Sequence, residues 1–261
     1  EDIEKARSLQ RSIRVTAPLS HPTERTARAG RPTGIHKAGA EFFTELKSYV
    51  ALDQPALWHP KLSAEAQAIV DDPDSVSADA LAAGVEEGDK LITGRNAAGT
   101  VHKNGWSTGR SATGFDGDIL KRAAGAKFGL GGHQAIENRS YIVQSDATGN
   151  RPDGSTPLLL KFEANALPPC NAFWSLTAYG MDMYLVENEI DRWSISDRTP
   201  GLVYDQDGSL TLTISAARPA KTNNWLPVPA GPYMMGMRVY EGHPAVINCE
   251  WFPPALIPDV R

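Results

Sequence analysis

The chain has 261 residues, of which 41% are hydrophobic and 22% are charged, and this composition is typical of globular domains. Its net charge of −5 argues against nucleic-acid binding, because a protein that binds duplex nucleic acid is expected to present a basic face. No run approaches the roughly 18 apolar residues of a membrane-spanning helix, so no membrane span is expected. The sequence begins at Glu1 rather than at Met and gives no indication of the compartment.

Helical patterns prevail in the sequence before residue 138. A first short helix is indicated by apolar residues at helical spacing: Ile3, Ala6, Leu9 and Ile13. A stretch rich in Thr, Pro, Arg and Gly follows and is typical of a linker. The sequence therefore predicts an N-terminal helix and linker in residues 1–37, and a helical segment in residues 38–137.

Two serines mark the starts of helices within that segment. Ser63 and Ser77 each precede an Ala-rich stretch with an acidic residue in its first turn, as N-cap residues do. Gly84 and Gly88 are expected to interrupt the second of these helices. A further helix is predicted from Asp118 to Phe128, where a cluster of glycines ends it.

After residue 138 the apolar pattern changes to the period of two that is typical of β-strands. In the segment Leu210–Ser215 the apolar side chains alternate with Thr and Ser, which indicates a sheet with one face in water and favours antiparallel pairing. Several such strands are separated by Gly, Pro, Asp and Asn turns. The prediction is a mainly β fold: an antiparallel β-sandwich of jelly-roll type in residues 138–261, preceded by the helical segment.

Several motifs follow one another along this β region. They are Tyr141, Asp146, Gly149, Asp153-Gly154, Leu167-Pro168-Pro169, Phe173 through Tyr179, Asp207 through Thr211, and Asn224 through Pro232. Upstream of them stand F-F-T-E-L, N-G-W at 104 to 106, and D-I-L-K-R-A-A-G-A-K-F-G-L-G. In order and spacing they resemble the bacterial family called domain of unknown function 1214, which implies a C-terminal β-domain behind a helical segment.

The resemblance also has implications for partners. Members of this family usually carry a second β-domain, domain of unknown function 1254, at the N-terminus, and its strands are not found in this sequence. The N-terminal portion of the same precursor is therefore an expected partner, as is a second copy of the chain. No settled activity attaches to the family.

The sequence predicts neither a metal site nor a cofactor. The histidines are scattered, without the close pair that metal sites commonly use: His21, His36, His59, His102, His133 and His243. No G-x-S-x-G elbow is present, and the glycines after Phe128 follow a helix rather than a strand, unlike those of a dinucleotide-binding fingerprint. Cys170 and Cys249 are expected to be two buried thiols rather than a disulfide, with Cys249 on a strand.

The strand F-W-S-L-T-A-Y carries the first set of candidate ligand-binding residues. Alternation places Ser175, Thr177 and Tyr179 on one face, opposite the apolar face of the strand. On the later strand Tyr233–Tyr240, Arg238 faces one side. If the two faces meet, the Arg, Tyr and hydroxyl groups can hold a carboxylate or a hydroxylated ligand. The alternative is a half-buried sheet face on which the Arg pairs with an acid.

Asn224 and Trp225 form a second candidate set within N-N-W-L-P-V-P-A-G-P. A Trp flanked by amides and prolines is suited to a rigid ligand platform. It is equally suited to close one end of a sandwich, and the sequence favours this structural role.

Three functions follow from these observations as hypotheses. The first is a ligand-binding β-sandwich that recognises a small polar or glycan-like molecule. The second is a hydrolase whose site is shared with the N-terminal domain that the sequence lacks. The third is a structural or assembly role, and the fold class does not choose among the three.

Overall fold

The computed structural model of the protein describes residues 2–12, 41–43, 45–47, 63–110, 114–115, 117–129 and 132–259. The Cα positions cluster into two units, residues 1–76 and residues 77–261. The predicted linker after Ile13 lies outside the described residues.

The first unit contains the helices α1 (Asp2–Ser12) and α2 (Ala64–Asp71), followed by a 3-10 turn at Pro73–Ser75. The hydroxyl oxygen of Ser63 accepts a hydrogen bond from the Ala66 N–H at 3.2 Å. This bond satisfies one of the free N–H groups at the start of α2 and confirms the predicted N-cap.

The second unit opens with a long helix, α3 (Ala78–Ala98), whose N-cap is Ser77, as predicted. The predicted interruption at Gly84 and Gly88 is wrong, since α3 continues through both. A glycine inside a helix costs only about 1 kcal/mol of propensity, which is too little to end α3. A Cβ atom at either position would have no neighbour within 4 Å, so neither glycine is there to make room for another group.

The helix α4 (Ile119–Gly129) packs against α3. Asp118 accepts two hydrogen bonds from the guanidinium of Arg95, at 2.7 Å and 3.0 Å. Lys127 forms an ion pair with Asp89 on the neighbouring helix. These contacts join the two helices near both ends of α4.

A β-hairpin lies inside the stretch that the sequence predicts to be helical. Its strands are β1 (Thr100–Lys103) and β2 (Trp106–Gly109). The turn residues Asn104 and Gly105 have φ angles of 54° and 79°, which the short hairpin turn requires. The strands of the second unit therefore begin ahead of residue 138.

The remaining elements are mostly strands. They are β3 (Asn138–Val143), β4 (Leu158–Phe162), β5 (Cys170–Tyr179), β6 (Ser194–Ser196), β7 (Leu210–Ser215), β8 (Trp225–Pro227), β9 (Met234–Gly242), the short helix α5 (Pro244–Ile247) and β10 (Ile257–Pro258). They form a six-stranded sheet in the order β1-β2-β3-β9-β5-β6 and a four-stranded sheet in the order β10-β4-β7-β8. The strand pairs are antiparallel except β7 with β8, which is parallel.

Both sheets contribute apolar side chains to one core. Fully buried members include Trp106, Tyr141, Leu176, Ile195 and Met237 from the larger sheet, and Leu160, Phe162, Leu212, Ile214 and Leu226 from the smaller one. Two sheets that share one core form a sandwich. The predicted mainly β fold behind a helical segment is thus confirmed.

Cys249 departs from its predicted place. It lies in a turn after α5, with a φ of 60°, and not on a strand, because Pro244 starts a short helix there instead. Both cysteines are free thiols and only partly buried.

Candidate functional site

One side of the six-stranded sheet faces away from the core, and we call it the outer face. On β5 the side chains of Trp174, Leu176 and Ala178 belong to the core, so that their neighbours in sequence point to the outer face. The same alternation on β9 places Met235, Met237 and Val239 inside. The outer face therefore carries Phe173, Ser175, Thr177 and Tyr179 from β5, and Gly236, Arg238 and Tyr240 from β9.

The register of β5 and β9 brings the first candidate set together. Ser175 lies directly opposite Arg238, and Thr177 lies opposite Gly236. Four of the residues predicted from the sequence thus share one half-buried surface: Ser175, Thr177, Tyr179 and Arg238. Their predicted role in ligand binding stays a prediction.

The side chain of Arg238 reaches along its own strand toward Tyr179. Its Nη1 atom donates a hydrogen bond to the Tyr179 hydroxyl at 2.9 Å, and its guanidinium carbon lies 5.7 Å from the centre of the tyrosine ring. The guanidinium passes close to Gly236, where a Cβ atom would lie 3.9 Å from Nη1. The hydrogen bond and the ring together hold the cation in a defined position.

The charge of Arg238 has no counter-charge on the described part of the chain. Among those residues, no carboxylate forms an ion pair with it, and its one hydrogen bond is to the neutral Tyr179. A guanidinium carries a fork of N–H donors, and a single phenol oxygen leaves most of them without a protein acceptor. The outer face thus presents a half-buried cation, most of whose N–H groups have no acceptor among the described residues.

An aromatic stack stands further along the same face. The rings of Phe173 and Tyr240 are stacked, with centroids 4.2 Å apart and an interplanar angle of 14°. The guanidinium of Arg198 lies 4.3 Å from the centre of the Phe173 ring and donates to the Ala172 carbonyl. The sequence did not indicate Arg198, which lies in a turn after β6 and carries no periodic signal.

Asn224 and Trp225 lie elsewhere, at the start of β8 in the four-stranded sheet. The amide of Asn224 donates to the carbonyls of Val203 and Thr211 and accepts from the Val203 N–H. Trp225 is 2% exposed, and its indole N–H donates to the Ser215 carbonyl at 3.0 Å. The structure does not bring this pair to the outer face, and its contacts fit the structural role that the sequence favours. A ligand-binding role for the pair stays a prediction.

A second arginine, Arg139 on β3, is almost completely buried, with 3% exposure. Its guanidinium donates to the backbone carbonyls of Gly109 and Ile247, while its Nε atom has no acceptor among the described residues. Because these carbonyls belong to β2 and to the end of α5, Arg139 ties both elements to β3. Its position inside the protein indicates a structural role.

An open cleft of about 580 Å³ lies at the end of β9. Glu241, His243 and Asn171 are among its lining residues, and the Nε2 atom of His243 lies 3.1 Å from the Asn171 side-chain oxygen. The described residues contain no group of three or more His, Cys, Asp or Glu side chains that could hold a metal ion. Nor does any described helix have the length and apolar character to cross a membrane. The outer face remains the surface that gathers the most predicted residues.

The architecture is similar to that of proteins with solved structures. The protein has 24% sequence identity to the VPA0106 protein of Vibrio parahaemolyticus, whose crystal structure matches 82% of this chain and 50% of that one with a TM-score of 0.54. This likeness supports the fold, and the chain spans about half the length of VPA0106. A protein from Burkholderia cenocepacia is 15% identical over 53% of this chain and 32% of that chain, with a TM-score of 0.35. No curated protein matches the sequence.

The family profile described as "Protein of unknown function (DUF1214)" matches residues 137–244. That range begins one residue before β3 and ends at the first residue of α5, so it contains the outer-face residues of β5 and β9. The predicted resemblance to domain of unknown function 1214 is thereby confirmed over residues 137–244.

Proposed function

We propose that the outer face of the six-stranded sheet binds a small polar or glycan-like molecule, with Arg238 and Tyr179 at the centre of the site. The observation that carries this proposal is the half-buried guanidinium of Arg238, which is held by a neutral phenol and has no carboxylate partner among the described residues. A cation in this state can accept a ligand without first breaking an ion pair.

The neighbouring groups suit a ligand with several polar atoms. Ser175 and Thr177 add hydroxyls that both donate and accept hydrogen bonds. Ser196 on β6 lies directly opposite Ser175 and extends this row of hydroxyls toward the edge of the sheet. Small-molecule sites commonly combine a few such polar groups with aromatic surface, and the Tyr179 ring supplies that surface here.

The structural alternative predicts a different partner for Arg238. If the arginine served the fold alone, its N–H donors would be expected to bind acids or backbone carbonyls of the protein, as those of Arg139 do. Arg218 shows that pattern elsewhere in the domain, since it forms an exposed ion pair with Glu189 at 3.0 Å. The contrast between these arginines supports a binding role for Arg238.

Arg238→Ala and Tyr179→Phe test the proposal. A panel of sugars, sugar acids and small hydroxy acids is screened for ligands that raise the melting temperature of the purified full chain, and each hit is measured by calorimetry. Hits should lose most of their affinity for both variants. Arg218→Ala removes the same charge from an exposed ion pair and should bind every hit as the wild type does. Unchanged binding by Arg238→Ala and Tyr179→Phe would sink the proposal.

The hydrolase and assembly hypotheses stay predictions. Both concern partners or additional chain, and no arrangement within the described residues favours either of them over binding.

A further inference from the structure

The N–H and O–H donors of Arg238 and Tyr179 indicate which chemical group of a ligand meets them. We infer that the ligand bears a carboxylate, which is held by the guanidinium of Arg238 and by the hydroxyl of Tyr179. This inference rests on the proposed function and adds the identity of the anionic group.

Gly236 lies next to the guanidinium of Arg238 on β9. It lies opposite Thr177 on β5 and opposite Ile142 on β3. A Cβ atom at Gly236 would lie 3.2 Å from the Cδ1 atom of Ile142, which is tighter than ordinary contact, and 3.9 Å from the Nη1 atom of Arg238. Because Gly236 has no side chain, the guanidinium of Arg238 can lie over this position on its way to the Tyr179 hydroxyl.

The free hydrogen-bonding groups of Arg238 and Tyr179 are donors. The Tyr179 oxygen accepts from Arg238, so its own proton is available to donate. Neither this hydroxyl proton nor the remaining N–H groups of Arg238 has an acceptor among the described residues. An ionised carboxylate only accepts hydrogen bonds, and its two oxygens match the fork of a guanidinium. A sugar hydroxyl brings its own donor and matches this arrangement less well.

The single positive charge of Arg238 favours a carboxylate over a phosphate. Arg238 supplies a single positive charge, and the neighbouring Ser175 and Thr177 are neutral. The other cation of the outer face, Arg198, lies over the Phe173 ring and donates to a backbone carbonyl. One guanidinium neutralises one carboxylate, whereas a doubly charged phosphate would keep an uncompensated charge at a partly buried surface.

Two matched pairs of probes test the inference: glucuronate against glucuronamide, and benzoate against benzamide. Within each pair the ring is the same and the carboxylate is replaced by a neutral amide. Binding to the isotope-labelled full chain is followed by nuclear magnetic resonance through the Arg238 Nε–H signal, which is assigned as the arginine signal missing from Arg238→Lys. At least one acid should shift this signal, and its amide should bind about 10- to 100-fold more weakly, the range expected for charge-assisted hydrogen bonds.

Variants separate the geometry of the site from its charge. Arg238→Lys keeps the charge without the fork and should bind the acid more weakly than the wild type. Gly236→Ala should also weaken binding of the acid, because its methyl group would crowd Ile142 and touch the Arg238 guanidinium. Gly231→Ala is the control, since a Cβ atom there has no neighbour within 4 Å. Thermal melting of each variant verifies that the domain remains folded.

The outcomes distinguish this inference from the proposed function. If neither acid shifts the Arg238 signal, the inference is wrong. If amides or neutral sugars bind in an Arg238-dependent manner as tightly as the acids, the inference is also wrong while the proposed function stands. If Arg238→Ala leaves the binding of every ligand unchanged, both are wrong.

Discussion

The hydroxyl of Tyr179 lies 2.9 Å from a guanidinium nitrogen of Arg238, although 59 residues separate the two in sequence. Two adjacent antiparallel strands bring them together, and Gly236 between Arg238 and Met234 leaves room for the arginine side chain. The result is a cation held in place by neutral groups. Such an arrangement suits a surface that takes its anion from a ligand.

Asn224 is predicted to stabilise the fold. Its amide makes three hydrogen bonds to the backbone of residues 203 and 211. Asn224→Ala should lower the free energy of unfolding by about 2–3 kcal/mol in urea denaturation, because backbone groups lose their partners. The matched control is Asn223→Ala, which removes one exposed hydrogen bond, to the Gly201 carbonyl, and should cost about 1 kcal/mol or less. Equal losses for the two variants would contradict this role.

Gly105 is predicted to be indispensable to the hairpin of β1 and β2. Its φ is 79°, and a Cβ atom would lie 2.1 Å from the Ser145 carbonyl oxygen. Gly105→Ala should therefore destabilise the domain by at least about 2 kcal/mol, from backbone strain and from displacement of residue 145. Gly109→Ala in the same hairpin meets no atom within 4 Å and is the control for equilibrium unfolding. A loss below about 0.5 kcal/mol for Gly105→Ala would show that the turn has another conformation.

Gly84 in α3, unlike Gly105, is predicted to tolerate replacement by alanine. A Cβ atom there has no neighbour within 4 Å, and the residue lies inside a long helix. Gly84→Ala should raise the free energy of unfolding of the unit by up to about 1 kcal/mol, because alanine loses less conformational freedom in a helix. Circular dichroism during thermal melting measures the change. A lower melting temperature would mean that the glycine is needed for a contact.

The Asp146 carboxylate is predicted to make the stability of the folded protein depend on pH in the acidic range. Burial opposes its ionisation, but hydrogen bonds from the Thr148 hydroxyl and from the backbone N–H groups of Thr148 and Asn150 outweigh it and lower the pKa of Asp146 below the ordinary 3.8. Because the pKa of Asp146 is lower in the folded than in the unfolded state, its ionised form stabilises the folded protein. This contribution is fully present at a pH above the unfolded-state pKa. The contribution is lost as the pH falls through the folded-state pKa of Asp146.

Asp146→Asn keeps the side-chain shape and removes this titration. Denaturant unfolding at pH 5 and at pH 3 should show a smaller loss of stability in the variant than in the wild type. The comparison within one variant pair cancels the contributions of all other carboxylates. An identical loss in both proteins would contradict the assignment to Asp146.

Local patterns predicted a large part of this fold. The alternation in Leu210–Ser215 and the capping serines Ser63 and Ser77 are short-range signals, and the structure confirms each of them. Alternation likewise assigned Ser175 and Tyr179 to the face opposite the core. These predictions succeeded because a strand or a helix end depends on residues only a few positions apart.

The sequence-based predictions fail where one local pattern is compatible with two structures. Asn104-Gly105 is a hairpin signal, but the helical patterns on both sides of it predict a helical segment. Gly84 and Gly88 are weak helix formers, but the packing of α3 against α4 keeps the helix continuous. Cys249 follows an alternating apolar pattern, but Pro244 starts a helix just before it.

The sequence by itself determined the fold class, the caps and the side of each strand that is polar, because period and turn chemistry are local properties. Tertiary structure decided which polar residues meet. Strand order placed β9 between β3 and β5, and its register set Arg238 across from Ser175 and within reach of Tyr179, while Asn224 and Trp225 went to the other sheet. The physical reason is that strand pairing selects among many long-range partners by the packing of the whole core, and no local pattern encodes that choice.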